Sequence, residues 1–379
     1  MKKNKSVRQK ILRETNRQVY FPISIALLLM ISIMLSGCSP SPSTSSAPPA
    51  PEGETQAPAA DLPPILGIGT HPIGGTYYAC GSGLAKVISD HSPINVTVQP
   101  SGGPSAYMPS IQSGELAMGL MGGTDVAWAY AGEQGYEPST NLRVLLTGHR
   151  VITLAFAVRM DSGITKVADL KGKMVGYGYG GDVNGQAVMT ACLEAAGLSW
   201  DDVQKIPIPD ASQGFSSIQE GRVDATFGGQ PISSQSMEAD SLVPLNGLNF
   251  ADIPPEEVAN IPAEIDAIVQ KYLPSAKLVA VEKQGILKND VTLTAYNAWL
   301  AASALISDDA AYEITRVLYE YTEELHDQHV LLAEWERDKL FDPNPYAPYH
   351  DGAVRFWKEK GLWTDEAEAN QQRLLALLK

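Results

Sequence analysis

The hydrophobic pattern of this 379-residue chain changes character several times along its length. A mostly apolar run from Ile23 to Leu35 follows a basic stretch and leads into Leu35-Ser36-Gly37-Cys38. It is shorter than the roughly 20 residues that span a bilayer. From Ser39 to Pro64 there is no aromatic residue, and Leu62 is the only aliphatic larger than alanine. Burial there cannot offset ordering entropy, so a flexible to polyproline-like tether is expected over 38–64. At Ile65 the pattern turns into short apolar strands alternating with helical periods. Ile65–Gly69 reads as a strand, 70–76 as a glycine-rich turn, Tyr77–Ser89 as a helix and Asn95–Gln99 as an alternating strand. The cycle returns with Met174–Gly178, a turn over 179–185, a helix through Ala196 and a strand at Lys205–Pro209. Strand, helix and strand in this order predict α/β structure with parallel strands and right-handed crossovers.

Two segments repeat one another. Ile111-Gln112-Ser113-Gly114 runs into Met118–Met121 and Gly122-Gly123, and Ile218-Gln219-Glu220-Gly221 runs into Asp224–Phe227 and Gly228-Gly229. They lie 107 residues apart, and the strand-end glycines Gly67 and Gly176 lie 109 apart. Each predicts a glycine-capped helix, a buried strand and a loop at that strand's carboxyl end, hence two similarly built lobes. Ligands of open α/β sheets sit beyond the carboxyl ends of the strands, near helix N-termini. The glycine pairs at 74–75, 102–103, 122–123, 180–181 and 228–229 would line two such edges facing each other across a cleft.

Charge sharpens this picture. Residues 1–37 carry seven Lys/Arg and the single acid Glu14, which leaves 21 basic and 42 acidic groups beyond them, a net charge of about −21. A body so acidic repels phosphates, so no nucleic-acid partner is expected. Three cysteines exclude a disulfide-stapled small domain. The basic segment, the short apolar run and the small residues before Cys38 predict an export signal over 1–37. The sequence LSGC resembles the lipobox of bacterial lipoproteins, which implies an acylated Cys38 that anchors the chain to a lipid bilayer.

GGTYYACGSGLA (74–85), QPSGGPSAYMPSIQSGELAMGL (99–120) and TDVAWAYAG (124–132) resemble the TAXI family of TRAP transporter solute receptors. SGITKVADLKGKMVGYG (162–178), CLEAAGLSWDDV (192–203), DAAYEITRVLYEYTEEL (309–325) and YHDGAVRFWKEKGLW (349–363) continue the resemblance in order. It implies a two-lobed periplasmic-binding-protein fold of the type II-like, Venus flytrap kind, each lobe a mixed sheet flanked by helices. Lobe 1 would comprise 65–150 and 296–379, and lobe 2 would comprise 151–295. Crossing strands would run near Val151–Arg159 and Ala295–Ala304, with the C-terminal helices packed on lobe 1. The implied role is an extracytoplasmic receptor that captures a small organic acid or amino acid and passes it to an ion-gradient-driven permease. A receptor for an ATP-driven importer and a lipid-anchored ligand sensor remain the alternatives.

The candidate ligand contacts in the first lobe are Thr76, Tyr77, Ser101, Gly102, Gly103 and Thr124, with Asp125 as a contact or a helix cap. Arg150, beside His149, would supply positive charge. Tyr179, Gly181, Asp182, Ser212 and Gln230 are the candidates in the second lobe. The family's hydroxyl-rich loop is replaced here by Tyr179-Gly180-Gly181-Asp182-Val183-Asn184, where Asp182 would repel an anion or attract an ammonium group. No catalytic residue, cofactor or metal is expected. Gly176-Tyr177-Gly178-Tyr179-Gly180-Gly181 fits G-x-G-x-x-G, but the acids Asp201-Asp202 precede the next strand instead of ending it. His326 and His329 share a helix face without a further ligand set. Cys80 and Cys192 are expected to pack as small apolar residues.

Overall fold

The computed structural model describes residues 62–377. The export signal, Cys38 and nearly all of the tether lie outside the described residues. The first strand, β1 (Ile65–Thr70), leads into helix α1 (Thr76–His91), which returns to β2 (Asn95–Pro100). Then come α2 (Pro104–Ser113), β3 (Met118–Gly122), α3 (Gly123–Ala131) and the long β4 (Leu142–Thr153). The second sheet collects β5 (Ala157–Arg159), β6 (Met174–Tyr177), β7 (Gln204–Pro207), β8 (Ala225–Thr226) and β9 (Leu245–Gly247). Between these strands run α4 (Val183–Ala195), α5 (Ala211–Gln219) and α6 (Ser234–Leu242). Helix α7 (Ala263–Tyr272) leads back through β10 (Lys277–Val281) and β11 (Val291–Ser303) to α8 (Asp308–Glu320), α9 (Thr322–His326), α10 (Asp351–Glu359) and α11 (Asp365–Ala376).

Two mixed sheets result. In the first, β2, β1 and β3 are parallel neighbours and β11 runs antiparallel to β3. One edge of β11 takes β10 and then β3, while β4 covers the opposite edge. In the second, the order is β7-β6-β8-β5-β9, with β5 antiparallel to both neighbours. The chain passes between the sheets just after β4, where Leu154 N–H donates to the Gly229 carbonyl at 2.8 Å. Strand β10 is paired into the first sheet although its residues fall within the span 151–295 read from the sequence as lobe 2.

Burial accounts for these elements. Strand β11 is buried at every position but Asn297, because sheet neighbours occupy both its edges and helices cover its faces. In α8 the buried positions Ala310, Ala311, Ile314, Thr315, Val317 and Leu318 repeat at three- and four-residue spacing, and that stripe faces α1 and α10. The C-terminal helices are fastened to the first sheet's side of the molecule. The Trp357 indole donates to the Leu145 carbonyl at 3.1 Å, and the Tyr130 hydroxyl donates to that of Leu374 at 2.8 Å. The sequence echo is structural: Gly114 (φ 81°) and Gly221 (φ 70°) both take the left-handed conformation just past a helix end. Cys80 and Cys192 are both buried and unbridged, the latter accepting from the Ala251 N–H. His326 bonds to the Trp335 carbonyl while His329 faces the Cys80 sulfur. Among the described residues no helix is long and apolar enough to cross a membrane.

Candidate functional site

The carboxyl ends of β1 and β8 bring two walls together around a small cavity of about 50 Å³ that opens to solvent. His71 comes from the turn that joins β1 to α1, Thr76 and Tyr77 from the first turn of α1, Thr153 from the end of β4 and Tyr296 from β11. The opposite wall is Asp182 at the start of α4, Phe215 on α5, Phe227 and Gln230 after β8, and Gln235 on α6. Helix α1 starts with Gly75 at its N-cap position and no side-chain cap, so its first N–H groups lie at the cavity edge unclaimed by a capping side chain.

Three polar atoms of residues lining the cavity are shut from solvent without a hydrogen-bond partner: His71 Nε2, Thr76 Oγ1 and the Tyr77 hydroxyl. Buried polar groups ordinarily find partners, so a cluster without them at one cavity marks a place built for something else to bind. Others are fixed. The Thr153 hydroxyl donates to that of Tyr296 at 3.1 Å, and the His71 and Tyr77 rings lie 4.5 Å apart.

Two carboxyl groups dominate the electrostatics. Asp182 caps α4 by accepting from Gly185 N–H at 2.8 Å, and burial raises its pKa to about 6. Asp125 is not a helix cap. It is buried behind the cavity, where it accepts from the Tyr136 hydroxyl at 2.8 Å and from Asn184 Nδ2 at 3.2 Å. Burial, and then the nearby Asp182, raises it to about 6 against those two hydrogen bonds. Burial lowers His71 to about 4, so the imidazole is neutral at pH 7. No Lys or Arg lines the cavity among the described residues.

Of the candidates named from the sequence, Thr76, Tyr77, Asp182 and Gln230 line the cavity. The glycines have a different task. A Cβ on Gly103 (φ 142°) would lie 2.2 Å from the Gly181 carbonyl oxygen, and one on Gly181 would lie 2.5 Å from the Gly102 carbonyl carbon. Gly102, Gly103 and Gly181 therefore let the two lobes close backbone to backbone, beside the cavity and not lining it. Ser101 donates to the Thr70 carbonyl and supports that same loop. Ser105 reinforces the closure by donating to the Gly180 carbonyl at 3.2 Å, and Gln235 bonds across to the backbone of Ile73 and Gly74.

The remaining candidates lie elsewhere. Tyr179 is fully buried in the second lobe, where its hydroxyl accepts from Phe227 N–H and pairs with Thr226. Thr124 is buried with its hydroxyl 2.6 Å from that of Ser275, and Ser212 donates to Asp210. Arg150 is exposed and borders a separate groove with Glu334 and Lys339. The His149 side chain lies outside the described residues. His71, Phe215, Phe227 and Tyr296 were missed from the sequence. His71 alone carried a signal, standing right after β1 in a turn already singled out.

A family model described as the NMT1-like family matches residues 68–361, which takes in both sheets and the whole cavity. The chain belongs to the NMT1-like family. Similar solved structures include the periplasmic aliphatic sulphonate binding protein SsuA from Escherichia coli, at 17% identity over 83% of this chain and 91% of that one, TM-score 0.43. The alkanesulfonate-binding protein SsuA from Xanthomonas axonopodis pv. citri, bound to MOPS, matches at 16% identity over 83% and 86%, TM-score 0.43. MatC from Rhodopseudomonas palustris, with bound malate, matches at 11% over 83% and 99%, TM-score 0.46.

Proposed function

We propose that this NMT1-like protein is the solute receptor of a transporter, holding one small molecule between its two lobes outside the cytoplasm. The observation that carries the reading is a cavity walled by both lobes and lined by Thr76, Tyr77 and His71, each with a buried polar atom that has no hydrogen-bond partner. Around it the lobes meet through glycine backbone and a few hydrogen bonds. A contact of that kind opens and closes without disrupting either core. Chemistry on the solute is not part of the proposal.

The segments resembling TAXI receptors favour delivery to an ion-gradient-driven TRAP permease, and the LSGC motif favours attachment to the membrane through an acylated Cys38. Residues 65–150 and 296–379 would then move as one lobe against 151–295, with β10 accompanying the first sheet. Calorimetric titration with a broad solute panel, paired with small-angle scattering, tests the receptor. Saturable binding with a decrease in radius of gyration is expected, and no binding by any solute would overturn it. Uptake assays in cells carrying the chain and its permease test the partner. Loss of uptake with an ionophore supports TRAP, and loss only on ATP depletion overturns it in favour of the ATP-driven alternative.

A further inference from the structure

We infer that the solute is recognised through a protonated amine: the site is built for an organic ammonium ion and not for an acid held by its carboxylate. This rests on the receptor reading above and deepens it. Four observations converge. Asp182, nine-tenths or more buried, lines the cavity with its carboxyl group capping α4, and Asp125 lies close enough behind to be felt electrostatically. Among the described residues lining the cavity there is no Lys or Arg to neutralise either acid, and Arg150, the candidate cation, is exposed at another groove. The one basic side chain among the described residues lining it, His71, is buried and neutral at pH 7. Phe215, Phe227, Tyr77 and Tyr296 supply ring surface around the acid.

A carboxylate or sulfonate entering this cavity would meet buried acids with no compensating cation, a costly arrangement. An ammonium group entering it would gain a buried carboxylate partner and an aromatic wall with which cations interact favourably. The unpartnered atoms fit the same class. Neutral His71 Nε2 can act as an acceptor for an N–H donor, while the Thr76 and Tyr77 hydroxyls can serve either way. Asp182 therefore has two tasks, helix cap and counter-ion.

The test is a calorimetric titration of the full chain at pH 7.5 with three panels: primary to quaternary amines without a carboxylate, carboxylates and sulfonates without an amine, and amino acids. Binding is expected from the amines, and from amino acids only where the deaminated analogue fails. Asp182→Asn keeps a side-chain oxygen for the Gly185 N–H and should still cap α4, yet it should weaken the bound amine at least tenfold. Circular dichroism checks its fold. The wild-type comparison between an amine and its uncharged isostere decides the matter alone if the variant does not fold. Binding of a carboxylate or sulfonate that lacks an amine, or amine affinity unchanged in Asp182→Asn, overturns the inference and leaves the receptor reading standing. Silence from all three panels overturns the inference, and silence from a panel of uncharged solutes as well overturns the receptor reading itself.

Discussion

Gly181→Ala separates closure of the lobes from stability of either lobe. The new Cβ would stand 2.5 Å from the Gly102 carbonyl carbon and 2.6 Å from its Cα. Carbon atoms in contact prefer about 3.5–4.0 Å, so the two loops must part by about 1 Å. The Ser105 hydroxyl and the Gly180 carbonyl, now 3.2 Å apart, then leave hydrogen-bond range, as does the equally long bond from Asn184 to Asp125. Two such bonds at about 1 kcal/mol each, with some loss of ligand contact to the displaced wall, amount to about 2–3 kcal/mol of closed-state stability. That corresponds to a roughly 30- to 150-fold rise in Kd. Within the lobe the change should be harmless, because Gly181 is not among the positive-φ glycines. An alanine there restricts the unfolded chain and stabilises by about 0.4–1 kcal/mol if it acts at all. Gly180→Ala is the control, since its Cβ would meet nothing nearer than the Gly178 carbonyl at 4.0 Å. Titration and urea melts on the three proteins check this. Equal affinities for Gly181→Ala and Gly180→Ala would refute the assignment of these glycines to closure.

Two further predictions concern stability. Asp125 and Asp182 titrate near 6 in the folded protein against about 4 in the unfolded chain, so the folded state binds more protons between those values and stability falls as pH rises through them. His71, lowered to about 4, acts oppositely and adds stability as pH rises from about 4 to 6.5. Asp182→Asn should therefore gain up to ~3 kcal/mol over wild type at pH 7 and nothing at pH 4, whereas His71→Gln should make the fall with pH steeper. Urea melts from pH 4 to 7 measure both differences, and a pH-independent gap between wild type and Asp182→Asn would contradict the burial argument. Tyr179→Phe leaves the Phe227 N–H buried without its acceptor and should cost about 1–3 kcal/mol of stability while ligand Kd barely changes, read by denaturation and titration of one sample.

The two halves were legible because local periodicity and glycine spacing encode them. Strand β1, helix α1 and strand β2 fall within a few residues of the sequence expectation, as do β6 and α4. The second sheet was read less well. The strand expected at Asp224–Phe227 contracts to Ala225–Thr226, and the Asp224 carboxylate accepts from Met174 N–H beside it. Pairing of β10 with β11 has no local signature, because register between strands on opposite sides of an irregular loop is settled by packing.

The cavity shows the same division more sharply. Asp182 was found because the sequence puts an acid where a hydroxyl was expected, and its position fixes its role as a cap. Asp125 sits just inside α3, where nothing local tells a solvated first-turn acid from one buried under Tyr136 and Asn184. Tyr296 comes from β11, more than 200 residues beyond Tyr77, and only the closed sheet brings them to one wall. The glycines misled for a related reason. Close backbone approach is what glycine permits, and from sequence the approaching group could equally be a ligand or the opposite lobe. Here Gly102 and Gly103 meet Gly181, so discrimination falls to the side chains beyond them. Those side chains place Asp182 in a cavity with aromatic rings and, among the described residues lining it, no Lys or Arg. On the proposed reading, the glycine-rich edges set how far the lobes close, and the charge on Asp182 sets what they close on.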